Sequence, residues 1–166
     1  DDFFMFGEVY DADPTYLSTF TTEAKLQAVI DFGFQARSID FAAGDPTTSL
    51  RDFYAQDDYY TDTDSNAYQL PTFTGNHDMG RAAMMLAGQG FEGDELLERV
   101  KLTNELMFLT RGQPVVYYGD EQGFIGSGGD KDARQDMFAT QTQQYADEPV
   151  LGGPSGSMER YNPEHP

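Results

Sequence analysis

Leu70-Pro71-Thr72-Phe73-Thr74-Gly75-Asn76-His77-Asp78-Met79-Gly80-Arg81 is the stretch on which the fold turns. An apolar, β-prone run from Leu70 to Thr74 breaks at Gly75. It delivers Asn76, His77 and Asp78 in succession, and a helix-like segment starts at Met79. That is a strand with a polar cluster at its carboxyl end. In a parallel α/β fold such an end opens onto the mouth of the sheet or barrel, where ligands bind. An imidazole beside a carboxylate can bind hydroxyls or handle protons there. The competing reading is structural: Asp is a preferred N-cap, and Asp78 would then cap the next helix.

Two further runs end in the same way. Phe3-Phe4-Met5-Phe6 is followed by Gly7 and Glu8, with Tyr10 and Asp11 behind them; Pro114-Val115-Val116-Tyr117-Tyr118 is followed by Gly119-Asp120-Glu121. The segments FFMFGEVYD, LPTFTGNHD and RGQPVVYYGDEQGF, in this order and spacing, resemble the fifth, seventh and eighth strand motifs of the α-amylase family of glycoside hydrolases. The resemblance runs from Phe3 to about Phe138 and implies an α/β fold. Specifically, it implies the C-terminal portion, about strands 5 to 8, of a TIM (β/α)8 barrel, with residues 1–148 a partial catalytic barrel and 149–166 an irregular, Pro- and Gly-rich tail or linker.

The chain has 166 residues, whereas a complete eight-stranded α/β barrel typically needs about 250 and seldom fewer than about 200. The resemblance accounts for the difference by leaving the first four strands outside the chain. The opening Asp1-Asp2, running directly into a strand without an initiator Met or a targeting segment, reads as a piece. Lys and Arg number 10 against 29 Asp and Glu, a formal net charge of −19. Such an excess of acid repels polyphosphates and argues against nucleic acid as a partner. There is no Cys, hence no disulfide and no thiolate metal site. No apolar run approaches the roughly 20 residues of a membrane helix, so no membrane role is expected.

Between the three strand ends the reading is coarser. Thr15 to Phe20 is a short helical candidate, and Leu26 to Phe32 reads as a strand, the sixth by resemblance. Helical stretches follow at Phe34 to Ala43 and Ser49 to Gln56, broken by Gly44-Asp45-Pro46. The acidic run Asp57 to Asn66 invites a calcium-loop reading that fails: the sharp-turn position holds Ala67 instead of Gly, and the bidentate position holds Phe73 instead of Glu. It is read as a solvated loop. Arg81 to Leu86 forms a first helix. A longer one starts at Asp94 as N-cap and stops at Gly112, with Leu96, Leu97, Val100, Leu106 and Met107 on its core face. The glycine-rich stretch Gly123 to Gly129 has no Walker lysine, and Lys131 stands where a dinucleotide fingerprint needs its third Gly.

Hydrolysing a glycosidic bond with retention needs a nucleophilic carboxylate and a carboxylic acid about 5 to 5.5 Å apart. By resemblance, Glu8 is the general acid/base and Asp78 the auxiliary carboxylate that stabilises the transition state. His77 and Asn76 bind the same sugar, Tyr10 is placed to stack on a neighbouring one, and Arg134, in the loop Asp130 to Phe138, lies near the rim. The alternatives are packing for Tyr10 and pairing with a local acid for Arg134. The family's nucleophile is an Asp at the end of the fourth strand, which would precede residue 1. Asp11, three residues after Glu8, is a runner-up without motif support.

The partners implied are an α-glucan oligo- or polysaccharide and the missing N-terminal half of the same barrel. No cofactor is identifiable in these residues, although calcium is bound by many complete family members. The resemblance favours a secreted or periplasmic setting. Two alternatives remain open: a non-catalytic carbohydrate-binding or scaffolding protein with an amylase-like half barrel, and a transglycosylase such as a glucanotransferase or trehalose synthase.

Overall fold

The computed structural model describes residues 3–137, 142, 145 and 150–153. The chain forms two compact units, one of residues 1–74 with 103–115 and the other of residues 75–102 with 116–166.

The first unit is built on four short parallel strands, β1 (Phe6–Gly7), β2 (Ala28–Val29), β3 (Pro71–Thr72) and β4 (Gln113–Pro114). Phe6 and Gly7 pair with Ala28 and Val29; Pro71 and Thr72 pair with Gln113 and Pro114. Between the two pairs, the Asp31 N–H donates to the Pro71 carbonyl at 2.9 Å. That bond links two parallel pairs of strands, each pair joined by a helical crossover.

Three helices of this unit supply crossovers: α1 (Pro14–Thr22), α2 (Phe32–Ala43) and α3 (Thr47–Tyr54). Asp13 caps α1 by accepting the Thr15 N–H, with Pro14 in the first turn; Asp31 caps α2 by accepting the Phe34 N–H. Leu17, Ala28, Val29, Tyr60, Ala67 and Leu70 form one core cluster, and Phe34, Phe53 and Met107 form another. Arg111, buried just before β4, forms ion pairs with both Asp31 and Asp57 and lies over the Phe53 and Tyr54 rings.

The third crossover holds α4 (Ala82–Ala87) and α5 (Gly93–Leu109), the latter running from the second unit into the first. The core positions expected on α5 hold: Leu96 and Met107 are buried, and Leu97, Val100 and Leu106 partly so. The rest of the second unit is the Asn76–Gly80 turn and an irregular segment with two 3-10 turns, Asp120–Gln122 and Asp130–Ala133. Val150 bridges antiparallel to Phe124, and the Leu151 N–H donates to the Gly123 carbonyl. The tail beyond residue 153, and Phe138 at the end of the family resemblance, lie outside the described residues.

Several boundaries differ from the sequence reading. Leu26 to Phe32 is not one strand: pairing covers only Ala28–Val29, and Asp31 turns the chain into α2 at Phe32. The helix after His77-Asp78 starts at Ala82, not Met79, because Asn76 and Gly80 close a turn with bonds in both directions. Asp78 caps nothing; Arg81 holds the N-cap position without a side-chain cap bond. Asp94 lies in the first turn of α5 and not at its cap. Gly112 stops the chain at φ +110°, where an added Cβ would meet the Thr72 side chain at 2.4 Å. The acidic run is only partly solvated. Asp57 pairs with Arg111, Asp62 with Lys25, and Tyr60 is buried.

Candidate functional site

In the first unit, Glu8 follows β1 directly, beyond its carboxyl end, and is exposed. Tyr10 stacks on Phe32 with ring centroids 4.7 Å apart, and Phe32 meets Phe73 edge-on at 5.1 Å. These three rings come from the segments that follow β1, β2 and β3, with Phe32 and Phe73 buried beneath Tyr10. Tyr10 nevertheless keeps 66% of its surface exposed, so the packing contact leaves most of the ring available. Asp11 is engaged locally, accepting the Asp13 N–H at 2.8 Å. The unit does not itself supply the burial that a general acid at Glu8 needs.

The second unit gathers Asn76, His77, Asp78 and Arg134. Gly75 opens the turn where only a glycine fits, since a Cβ there would lie 2.5 Å from the Gly80 carbonyl oxygen. Asn76 Oδ1 accepts the N–H groups of Asp78 and Met79, both at 2.9 Å, so its side chain shapes the turn. His77 and Asp78 project from it half exposed, with His77 Nε2 3.3 Å from Asp78 Oδ1. Arg134 Nη2 stands 3.4 Å from the same oxygen and 2.9 Å from Asp130. Arg134 thus has the local acid that the structural alternative called for, and it also reaches Asp78.

Loop and turn are locked together through the backbone. The Asp130 N–H donates to the Asp78 carbonyl at 2.9 Å, and a Cβ on Gly129 would sit 2.5 Å from that carbonyl oxygen. Asp130 adopts φ +49°, a left-handed conformation that side-chain-bearing residues seldom take.

Two features escaped the sequence reading. Arg81, 1% exposed, donates to Asp120 at 2.6 Å, to the Tyr118 carbonyl at 2.8 Å, and to the Ala133 carbonyl and Gln135 Oε1 at 3.1 Å each. The Tyr117 and Phe124 rings flank it. Burial pushes the Asp120 carboxyl up to about 6 against the pull of Arg81. The second is the Asp31–Arg111–Asp57 cluster of the first unit. Burial disfavours the Arg111 charge, but Asp31 and Asp57 outweigh it and hold the proton more firmly than usual. Burial raises the Asp31 carboxyl, which Arg111 opposes. The available sequence signal was two arginines, Arg81 and Arg111, beside apolar segments of a strongly acidic chain.

Among the described residues, no group of three or more His, Asp or Glu side chains is placed to hold a metal ion. No residue is therefore assigned to calcium. No helix among them is long and apolar enough to cross a membrane.

The model of the α-amylase catalytic domain matches residues 1–150. An α-amylase from Streptomyces lividans is 51% identical over 92% of this chain, which spans 17% of that protein. A 4-alpha-glucanotransferase from Thermotoga maritima is 44% identical over 36% of this chain, which spans 12% of it. Among solved structures, an α-amylase from Geobacillus thermoleovorans, complexed with acarbose, superposes with a TM-score of 0.69 at 26% identity. That match covers 82% of this chain and 30% of the solved one.

Proposed function

The chain belongs to the α-amylase catalytic-domain family, and from that premise we propose that it supplies about strands 5 to 8 of the catalytic barrel of a retaining α-glucan-active enzyme. Support comes from one observation above the rest: β1 pairs parallel with β2 and β3 with β4, and in the sequence Glu8 and the Asn76-His77-Asp78 turn follow the carboxyl ends of β1 and β3. In such a fold that rim carries the chemistry.

Glu8 acts as the acid/base. It protonates the glycosidic oxygen as a carboxylate nucleophile attacks the anomeric carbon, then takes the proton of the water that releases the glycosyl-enzyme. The nucleophile is an Asp outside these 166 residues. Asp78, with His77 at 3.3 Å, holds hydroxyls of the reacting sugar; contacts that tighten as the ring flattens lower the barrier more than they strengthen binding. Tyr10 offers its exposed face to a sugar, and Arg134 and Asn76 are assigned to glucan binding.

Transglycosylation is the second reading, favoured by the glucanotransferase similarity over 36% of the chain. The test is Glu8→Gln and Asp78→Asn in the enzyme that carries this chain. Each is expected to lower kcat on α-1,4-glucan by at least about a hundredfold with oligosaccharide binding retained. Turnover within a few fold of the parent would reject the assignment and leave a carbohydrate-binding role. Product analysis with an added acceptor sugar separates transfer from hydrolysis.

A further inference from the structure

Arg81 is the most thoroughly engaged buried cation of the second unit, and the chemistry above gives it no task. It occupies the N-cap position of α4 yet makes no side-chain cap bond there. Two of its acceptors, the Ala133 carbonyl and Gln135 Oε1, are the immediate sequence neighbours of Arg134. The Tyr117 hydroxyl donates to the same Ala133 carbonyl at 3.0 Å, and the Tyr117 ring lies 4.6 Å from the Arg81 guanidinium. Arg134, held on both sides in this way, reaches across to Asp130 and Asp78. Arg81 itself directly follows Gly80, the residue that closes the Asp78 turn.

From this juxtaposition we infer that Arg81 is a positioning residue of the candidate site: it fixes Arg134, and through Arg134 the carboxylate of Asp78. The inference rests on the proposed glucan-active reading for its kinetic consequence, but not for its structural one. The bond to the Ala133 carbonyl ties down the backbone just before residue 134 and the bond to the Gln135 side chain anchors the residue just after it, so the exposed Arg134 side chain starts from a held position. Arg suits this task and Lys does not, because four acceptors in different directions need the planar fork of donors. The buried partner charge on Asp120 keeps the guanidinium in place. Removing Arg81 alone would leave that carboxylate buried and unpaired, so the informative variant removes both charges.

The experiment compares the parent with Arg81→Lys, with Arg81→Met/Asp120→Asn, with Arg134→Ala, and with the combination of the last two. Limited trypsin digestion, read by mass spectrometry, follows cleavage after Lys131 and, where Arg134 is present, after Arg134. In the Met/Asn variant this cleavage is expected to rise at least about tenfold while sites elsewhere stay protected, with Arg81→Lys intermediate. Kinetics on a maltooligosaccharide supply the second arm. If Arg81 works through Arg134, the loss in kcat/KM from combining the changes is no larger than that of Arg134→Ala alone; independent roles would multiply the losses. Unchanged cleavage near residue 134, or multiplying losses, overturns the inference. A parent without turnover of α-glucan refutes the proposed function, and the digestion arm then decides the positioning role unaided.

Discussion

At the scale of single residues, the two buried arginines carry the clearest consequences. Asp120 keeps its proton to about pH 6 in the folded unit, against an ordinary carboxyl value of 3.8. The folded state therefore binds this proton more tightly than the unfolded chain. The stability it contributes is fully present below about pH 4 and is lost as pH rises through about 6, by roughly 3 kcal/mol. Urea midpoints measured from pH 4 to 6.5 are expected to show this decline in the parent and to lose it in Asp120→Asn. None of this was legible in the sequence. The sequence places Asp120 at a strand end, whereas it lies in a 3-10 turn six residues past β4, and nothing local says that an arginine 39 positions earlier is its partner.

At the scale of elements, α2 shows how one residue can serve two functions. Asp31 caps the helix through the Phe34 N–H and also pairs with Arg111. Asp31→Ala removes both and strands a buried guanidinium with Asp57 as its remaining acidic partner, so a loss of about 3 to 5 kcal/mol is expected. Asp31→Asn retains an acceptor for the cap and should lose less; equal losses in chemical denaturation would show that the cap is immaterial. This residue also explains the misplaced strand. Leu26 to Phe32 is a short apolar run interrupted by Gln27 and Asp31, and such runs do not distinguish strand from helix start. Gly7 and Gly75 lie at or just past the ends of β1 and β3, but the third run, read as a strand over Pro114 to Tyr118, pairs only at Gln113–Pro114, so Gly119 stands five residues beyond its end. The paired lengths were not legible, because pairing depends on neighbours distant in sequence.

At the scale of the molecule, the relatives set the frame: the chain spans 17% and 12% of the two proteins described above. In the first unit, β1 and β4 are the outer strands. Phe3, Phe4, Met5 and Phe6 beside one, and Val115 beside the other, are 73%, 48%, 45%, 54% and 49% exposed. Unpaired apolar edges of this kind template association with another chain. The 166-residue chain alone is therefore expected to self-associate in light scattering, and a well-behaved monomer would count against an open half barrel. The same chain, lacking the proposed nucleophile, is expected to release no reducing sugar from starch, and robust hydrolysis would remove that part of the assignment.

The amino-acid order by itself determined the family, the parallel α/β class and which polar residues follow β1 and β3. Each of those is written in short contiguous motifs, where a strand, a glycine and a polar cluster are covalent neighbours. Only the tertiary structure decided that Arg81 and Arg111 are buried, that their counter-charges are Asp120 and Asp31, 39 and 80 positions away, and that Arg134 reaches Asp78. A buried charge is set by which distant groups surround it, and that is a property of packing which no local pattern encodes.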